Sequence, residues 1–218
     1  MRPQRVVVVV GTGTEVGKTW VSARLLTGLR EAGVTVAARK PAQSFAAGDD
    51  PADRDAAVLG MATGEAPEVV CPPHRWYEAA MAPPMAAEVL GRPAFSVAEL
   101  VGEVAWPAGG AVEVGLIETA GGARSPIACD GDCVALCQAL QPDLVLLVAD
   151  AGLGTINSVR LTVGVVPEDV IVILNRFDGS NEVHVRNRQW LSERDGLVVV
   201  ALPGGEARLG ALVRGSSA

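Results

Sequence analysis

The stretch VVVVVGTGTEVGKTWVSARLLTGL, residues 6–29, constrains the fold more than any other part of the chain. Its five consecutive valines predict a short strand that is buried on both faces. A glycine-rich loop follows, and Gly17 to Glu31 then show the periodicity of a helix that ends at Gly33. A buried strand joined to a helix through a tight loop is typical of α/β proteins.

Strand and helix patterns alternate along the rest of the chain. The later apolar strands are VTVAAR, AVEVGLIE, DLVLLVAD, DVIVILN and LVVVAL. This order predicts a three-layer α/β fold, with a mostly parallel sheet of about seven strands and helices on both faces. Residues 1–218 are expected to form a single domain. Ligands of such sheets bind at the carboxyl ends of the strands.

Two local patterns carry boundary predictions. The segment DDPADRDAAVLGMATG predicts a helix with Asp50 as its N-cap and Pro51 at its first position. The segment TAGGARSP, which follows the AVEVGLIE strand, predicts a loop.

Composition excludes several classes of function. The net charge is −7 and basic residues form no run, so binding of nucleic acid by a basic face is disfavoured. No segment reaches the roughly 18 apolar residues needed to span a bilayer, so a cytoplasmic protein is expected.

Cys129, Cys133 and Cys137 are spaced as one stripe of a helix, which predicts apolar packing and not a metal site.

The loop between the first strand and the first helix, residues 12–17, is called the phosphate loop here. Successive backbone N–H groups of such a loop, with the helix N-terminus, cradle phosphate oxygens. Lys18 is then expected to reach the β and γ phosphates, and the Thr19 hydroxyl to bind Mg²⁺. Five residues separate Gly11 from Gly17, one more than the usual spacing.

The loop GTGTEVGKT resembles that of the dethiobiotin synthetase family, and four later segments agree with that family in order and spacing. They are RKPAQS, DRDAAVLGMATG, IETAGG and ADAGLGTINSVRLT. The resemblance covers about Val6 to Pro203 and implies a P-loop NTP hydrolase-like fold. The same branch of P-loop proteins includes cobyrinate-type amide synthases and the ParA and MinD partition ATPases, whose loop carries an extra lysine where Gly13 stands here.

The resemblance implies closure of the ureido ring of a biotin precursor from 7,8-diaminononanoate, CO₂ and Mg²⁺-bound ATP. One amine captures CO₂ as a carbamate, and the carbamate attacks the γ phosphate to give a carbamic–phosphoric anhydride. The second amine then closes the ring and expels phosphate. The family also implies a homodimer, in which residues of the partner subunit hold the substrate carboxylate.

Roles for individual residues follow from the same resemblance. Lys18 and Lys40 are the implied catalytic cations between the anionic carbamate and triphosphate. Acids in a first helical turn are also expected without a metal, so Asp49 or Asp53 remains an alternative to Asp55 as a ligand. The implied magnesium ligands are Thr19, Asp55 and Glu118.

The implied binding residues lie in loops that follow strands. The segment NRFD resembles the Asn-Lys-x-Asp element of GTPases, so Asn175 is expected to contact the base, while Asp178 leaves GTP or other triphosphates open. The implied nucleotide-binding residues are Gly13, Thr14, Glu15, Val16, Gly17, Lys18, Thr19, Asn175, Pro203, Gly204 and Glu206. The implied substrate-binding residues are Thr14, Lys40, Ser44, Gly121, Gly122, Gly154 and Asn157, with Asn187 as a further candidate.

Four positions depart from the family pattern, namely Phe45, Thr119, Arg124 and Ser158. They leave the phosphate machinery intact but bear on the diamine pocket, where Arg124 would suit another anionic substrate. Two rival functions therefore stay open: a ligase of the same scaffold with a different substrate, and a nucleotide-switch protein. Whether residues 71–110 form a lid or a dimer contact also stays open.

Overall fold

The computed structural model describes residues 1–166 and 169–215. The strands are β1 (Arg5–Gly11), β2 (Val36–Arg39), β3 (Gln43–Ser44), β4 (Trp76–Tyr77), β5 (Val114–Gly122), β6 (Pro126–Ala128), β7 (Gly131–Asp132), β8 (Leu144–Asp150), β9 (Val170–Asn175) and β10 (Val198–Ala201). The α-helices are α1 (Lys18–Glu31), α2 (Asp55–Thr63), α3 (Pro67–Val70), α4 (Pro83–Val89), α5 (Val97–Glu103), α6 (Cys133–Leu140), α7 (Thr155–Val163), α8 (Glu182–Gln189) and α9 (Glu206–Val213). Short 3-10 helices (Pro51–Asp53 and Pro73–Arg75) and a π-helix (Trp190–Arg194) also occur. None of the described helices is long and apolar enough to cross a membrane.

Six strands form the central sheet in the order β10–β9–β8–β1–β5–β2, and every neighbouring pair is parallel. The predicted parallel α/β fold is confirmed, but over the described residues the sheet has six strands and not about seven. The short strands pair with each other, β3 with β4 and β6 with β7. Because β1 lies between β8 and β5, the loops that follow these strands meet at one edge of the sheet.

The valines of β1 alternate between the two faces of the sheet. Val7 and Val9 pack with side chains of α1, α2 and α9, whereas Val6, Val8 and Val10 pack on the opposite face with side chains of α6. All five are at most 3 % exposed. The strand is therefore covered by helices on both faces, as predicted, and it anchors the phosphate loop at its end.

The helix predicted to begin at Asp50 is divided in two. Asp50 caps only the short 3-10 helix, the backbone is extended at Arg54, and α2 begins at Asp55. Gln43 Oε1 accepts a hydrogen bond from Ala56 N at 3.0 Å and so satisfies one N–H group of the α2 N-terminus. With this tertiary contact, α2 starts four residues later than the local sequence predicted, at Asp55 and not at Pro51, so Asp55 lies in its first turn.

The strand β5 is longer than predicted. It continues through Gly122, so the TAGG part of the predicted loop is strand. The extension follows β1, which runs to Gly11 and pairs there with Gly122 beyond an irregularity in the register. A Cβ at Gly122 would lie 3.3 Å from Gly13 Cα, so glycine permits the close approach of the two backbones.

The three-cysteine stripe is only partly confirmed. Cys133 and Cys137 lie on α6 and are fully buried, but Cys129 lies in the exposed turn between β6 and β7. Burial raises the pKa of the Cys133 thiol, which donates a hydrogen bond to Ala120 O at 3.0 Å. Burial likewise raises the pKa of Cys71 to about 12. The buried thiols therefore behave as small apolar side chains.

Candidate active site

A cleft of about 980 Å³ opens at the carboxyl edge of the sheet, between the phosphate loop and the ends of β2 and β5. Residues 80–83, which precede or open α4, line its other wall, so part of the 71–110 segment borders the cleft. Ten predicted site residues line the cleft: Thr14, Glu15, Gly17, Lys18, Thr19, Lys40, Ser44, Asp55, Glu118 and Gly121.

Lys40 is the centre of a buried charge cluster. Its Nζ lies 2.6 Å from Asp55 Oδ2 and 2.9 Å from Glu118 Oε1, and it donates a third hydrogen bond to Thr119 O at 3.1 Å. Burial opposes its charge, but Asp55 and Glu118 outweigh burial and raise the pKa of Lys40. Lys40 also outweighs the effect of burial on Asp55 and lowers the pKa of that carboxyl group. The cluster therefore holds the Lys40 ammonium against the Asp55 carboxylate, and the same ammonium contacts Glu118.

The three predicted metal ligands converge on one point. Thr19 Oγ1 lies 2.7 Å from Asp55 Oδ1 and 2.8 Å from Glu118 Oε1. Mg²⁺ prefers oxygen ligands and binds through one or two carboxylates together with phosphate and water. A hydroxyl and two carboxylates next to the phosphate loop therefore fit a magnesium ion, with the Lys40 ammonium balancing the same carboxylates in this structure.

Of the two alternative acids, Asp49 also lines the main cleft, whereas Asp53 is not among its lining residues. Asp49 Oδ2 accepts a hydrogen bond from Ala46 N at 2.8 Å and so closes its own turn. Asp53 lies in the 3-10 helix and lines a smaller cleft of about 200 Å³. Of the three aspartates, Asp55 is the one whose carboxylate lies within hydrogen-bond distance of Thr19, so the geometry favours Asp55 over Asp49 and Asp53.

Two residues that support the cluster were missed by sequence reasoning. Ser22 is fully buried, and its hydroxyl donates to Glu118 Oε2 at 2.8 Å. Gln43 holds the N-terminus of α2, and with it Asp55, through Ala56. A serine on the buried apolar face of α1 was an available signal for Ser22, because a buried hydroxyl requires a partner. Gln43 had no such signal, since its contact depends on how β3 packs against α2.

Lys18 joins the phosphate loop to the end of β5. Its Nζ donates to Gly121 O at 2.7 Å and to Gly13 O at 3.2 Å. Burial lowers the pKa of Lys18, and the charge of Lys40 lowers it further, while Glu118 and Asp55 act in the opposite direction. A bound polyphosphate would favour the charged form, because an opposite charge nearby stabilises it.

The phosphate loop contains two residues with left-handed backbone. Glu15 and Gly17 both have left-handed backbone, with φ of 60° and 90°. No side chain of the described residues caps the N-terminus of α1, so its first N–H groups remain available to an anion. The Val16 carbonyl between the two left-handed positions accepts a hydrogen bond from Asn175 Nδ2 at 2.9 Å.

Gly17→Ala is expected to weaken ATP binding at least about tenfold. A left-handed conformation costs a residue with a Cβ roughly 1–2 kcal/mol, and this Cβ would also overlap the Asn175 side-chain nitrogen, so the loop must move. Isothermal titration calorimetry with ATP measures the loss. Gly28→Ala in the same helix is the matched control, because its Cβ meets no described atom within 4 Å. Native ATP affinity in Gly17→Ala would contradict the expectation.

Several predicted residues lie outside the cleft lining. Asn175 is 4 % exposed and contacts the back of the phosphate loop. The Glu206 carboxylate accepts a hydrogen bond from Gly204 N at 2.8 Å and forms an ion pair with Arg24 at 3.1 Å. The segment just before Gly204 lies next to the loop after β9, because Phe177 N donates a hydrogen bond to Leu202 O. Asn157 is exposed at the start of α7. The predicted residues outside the lining are Gly13, Val16, Gly122, Gly154, Asn157, Asn175, Pro203, Gly204 and Glu206.

The four departures from the family pattern fall in different environments. Phe45 lines the cleft. Thr119 is buried, and its hydroxyl donates a hydrogen bond to Val9 O at 3.0 Å. The Ser158 hydroxyl is within hydrogen-bond distance of the carbonyl oxygens of Gly154 and Thr155 at the start of α7. Arg124 is exposed and pairs with Asp132 at 2.9 Å. Of the four, Phe45 is the departure that bears directly on the shape of the cleft.

Comparisons with known proteins identify the family of this chain. A family model described as an AAA domain matches residues 5–203. The ATP-dependent dethiobiotin synthetase BioD of Haloferax mediterranei is 37 % identical, over 89 % of this chain and 82 % of that protein. The chain belongs to the dethiobiotin synthetase family. A second member, from Rhodococcus jostii, is 33 % identical over 98 % of this chain and 92 % of its own.

Solved structures outside this family share its fold. The signal recognition particle receptor FtsY from Elizabethkingia anophelis, in complex with GDP, superposes with a TM-score of 0.56 at 18 % identity and covers 92 % of this chain. Chloroplast FtsY from Physcomitrella patens gives a TM-score of 0.50 at 20 % identity and covers 98 %. This chain spans 57 % and 65 % of those two structures. The likeness places the dethiobiotin synthetase family chain among proteins of the P-loop fold.

Proposed function

We propose that this protein is an ATP-dependent dethiobiotin synthetase, which closes the ureido ring from 7,8-diaminononanoate, CO₂ and Mg²⁺-bound ATP. One observation carries the proposal: Lys18, Lys40, Thr19, Asp55 and Glu118 meet in a single cleft at the carboxyl edge of the sheet, beside the phosphate loop. This set provides cations for two anionic reactants and oxygen ligands for a metal. Family membership supplies the identity of the reactants.

Thr19, Asp55 and Glu118 would hold Mg²⁺. The ion would supply positive charge to the phosphate oxygens on which negative charge accumulates during phosphoryl transfer. Ser22 keeps Glu118 oriented through its hydroxyl, and Gln43 keeps the first turn of α2 in place, so the ligand oxygens are preorganised.

Lys18 and Lys40 act at the meeting point of the two anions. In the first step an amine of the substrate adds to CO₂ and releases a proton, which leaves a carbamate. The carbamate oxygen then bonds to the γ phosphorus as ADP departs, and the second amine closes the ring as phosphate departs. Each lysine lowers the repulsion between carbamate and triphosphate, so catalysis consists mainly of positioning and charge stabilisation.

The diamine would lie along the cleft between the phosphate loop and β3. Thr14 and Ser44 supply hydroxyls on this path, and Gly121 permits close approach of the backbone. Gly154 and Asn157 lie outside the cleft lining, next to Leu153, which is 95 % exposed. A loop with an exposed leucine is suited to contact a second subunit, which supports the proposed homodimer with the substrate carboxylate held across the interface.

The proposal also covers the base. The base would be bordered by Pro203, Gly204 and Glu206, which follow β10, and by Asn175 at the end of β9. Asp178 Oδ1 accepts hydrogen bonds from Ser180 N at 2.8 Å and Ser180 Oγ at 2.7 Å, so this oxygen already has partners within its own turn. A cytoplasmic location and a single domain over residues 1–218 complete the proposal.

Product formation tests the proposal. The protein is incubated with 7,8-diaminononanoate, bicarbonate, Mg²⁺ and ATP, and dethiobiotin and phosphate are quantified. Dethiobiotin should appear in equal amount to phosphate, and both should require the diamine and bicarbonate. Reactions that omit one reactant at a time are the controls.

The rival functions predict other outcomes of the same assay. Phosphate release that is indifferent to the diamine, with no dethiobiotin, would reject the synthetase and leave an ATP-hydrolysing switch. ATP use that begins only with another amine or acid substrate would indicate a ligase of different specificity.

A further inference from the structure

The last residue of β9, Asn175, and the residue after it, Arg176, contact the phosphate loop, and Arg176 also lines the cleft. Asn175 Nδ2 donates to Val16 O at 2.9 Å, and Arg176 Nη2 donates to Glu15 O at 2.7 Å. Two adjacent residues thus hold two adjacent carbonyl groups of the phosphate loop. Asn175 was expected to contact the base, and Arg176 was not expected to have a role.

The direction of these carbonyl groups matters for anion binding. A loop binds phosphate when its N–H groups converge, and an unpaired carbonyl oxygen at the same place repels the anion. The left-handed conformations of Glu15 and Gly17 set the orientation of the peptide groups on either side of Val16. Hydrogen bonds from Asn175 and Arg176 occupy these two carbonyl oxygens, so neither is left unpaired next to a bound phosphate.

Arg176 has a second fixed contact. Its Nη1 lies 2.9 Å from Asp150 Oδ2, and Asp150 Oδ1 accepts a hydrogen bond from Gly152 N at 2.9 Å. Arg176 itself has φ of 54°, a left-handed conformation that is costly for a residue with a Cβ and persists only where its surroundings hold it. A single guanidinium therefore joins the ends of β1, β8 and β9.

We propose that Arg176 is a positioning residue for triphosphate binding: it fixes the Glu15 carbonyl, and Asp150 holds Arg176 in place. The inference depends on one part of the proposed function, namely that residues 12–17 bind the triphosphate. It differs from base recognition, because it acts on the phosphates whichever base is attached.

Binding of two probes by Arg176→Ala tests the proposal. Calorimetry in the presence of Mg²⁺ compares ATP with inorganic tripolyphosphate, which has no base. Both affinities should fall by the same factor, about tenfold, the size expected for one charge-assisted hydrogen bond. In the synthetase assay, KM for ATP should rise by about the same factor while kcat changes less than about threefold. A loss for ATP without a loss for tripolyphosphate would overturn the proposal, as would no loss for either.

Asp150→Asn separates positioning from direct contact between Arg176 and phosphate. If Asp150 holds Arg176 against the phosphate loop, removal of its charge weakens tripolyphosphate binding. If Arg176 acted only as a free cation in the cleft, removal of the neighbouring negative charge would strengthen it, and that result would overturn the proposal. Arg176→Lys, which keeps the charge and can make one of the two contacts, should lose less affinity than Arg176→Ala.

The chain offers a matched control in Arg160→Ala. Arg160 pairs with Asp195 at 2.6 Å, and its side chain is 52 % exposed, compared with 58 % for Arg176. Arg160→Ala should keep native affinity for both probes, and the melting temperatures of both alanine variants should stay close to native. Failure of the native protein to form dethiobiotin would reject the proposed function, yet it would leave the comparison of the two probes intact.

Discussion

Replacing Lys18 with alanine is expected to abolish ring closure, with kcat/KM for ATP reduced roughly a thousandfold or more. Lys18 Nζ lies between the phosphate loop and the end of β5, and two of its three N–H donors bond the carbonyls of Gly13 and Gly121. The third donor and the charge are available to the γ phosphate, where negative charge develops during transfer. Steady-state formation of dethiobiotin measures the loss.

Lys18→Met separates the charge from the volume of the side chain. Burial already lowers the pKa of Lys18, so the folded protein disfavours this charge, and its removal should cost little in thermal stability. Native-like melting together with lost turnover would assign the effect to catalysis. Near-normal turnover in Lys18→Met would remove Lys18 from the mechanism.

Replacing Lys40 with methionine is expected to lower kcat about a hundredfold to a thousandfold, with a smaller change in KM for ATP. The Lys40 ammonium is 2 % exposed and contacts Asp55 and Glu118. In the proposed mechanism its charge is needed where the carbamate approaches the triphosphate. A rise in KM at unchanged kcat would contradict a role in the transition state.

The same variant should be unstable in a way that a metal corrects. Without Lys40, Asp55 and the fully buried Glu118 remain as uncompensated carboxylates, which costs about 3–5 kcal/mol of folding free energy. Because Mg²⁺ would bind these carboxylates, it should raise the melting temperature of Lys40→Met more than that of the native protein. Equal effects of Mg²⁺ on both proteins would argue against a metal at this site.

Nuclear magnetic resonance can follow both lysines separately. The chain contains two lysines, Lys18 and Lys40, so a protein labelled with ¹³C at lysine Cε gives one signal from each. The methionine variants assign them. Addition of Mg²⁺ should shift the Lys40 signal, since the ion would compete for Asp55 and Glu118, whereas inorganic tripolyphosphate should shift the Lys18 signal.

The sequence predicted the position of a residue well where that position depends mainly on the residue's neighbours in the chain. Five consecutive valines, bounded by a glycine-rich loop, predict a short strand that is buried on both faces. The phosphate loop and α1 follow from glycine spacing and helical periodicity. Lys18 and Thr19 lie at the start of α1, so their place beside the loop follows directly. Lys40 and Glu118 come at strand ends, and parallel strands bring such ends to one edge.

The sequence by itself therefore determined the parallel α/β fold, the phosphate loop and which side chains reach the active edge of the sheet. Only the tertiary structure decided that α2 begins at Asp55, that Ser22 and Gln43 bond Glu118 and the first turn of α2, and that Asn175 and Arg176 contact the carbonyls of the phosphate loop. The physical reason is distance along the chain. Periodicity and turn chemistry report on neighbours within a few residues, whereas the bond from Arg176 to Glu15 joins residues 161 positions apart and exists only because β9 and β1 lie in the same sheet.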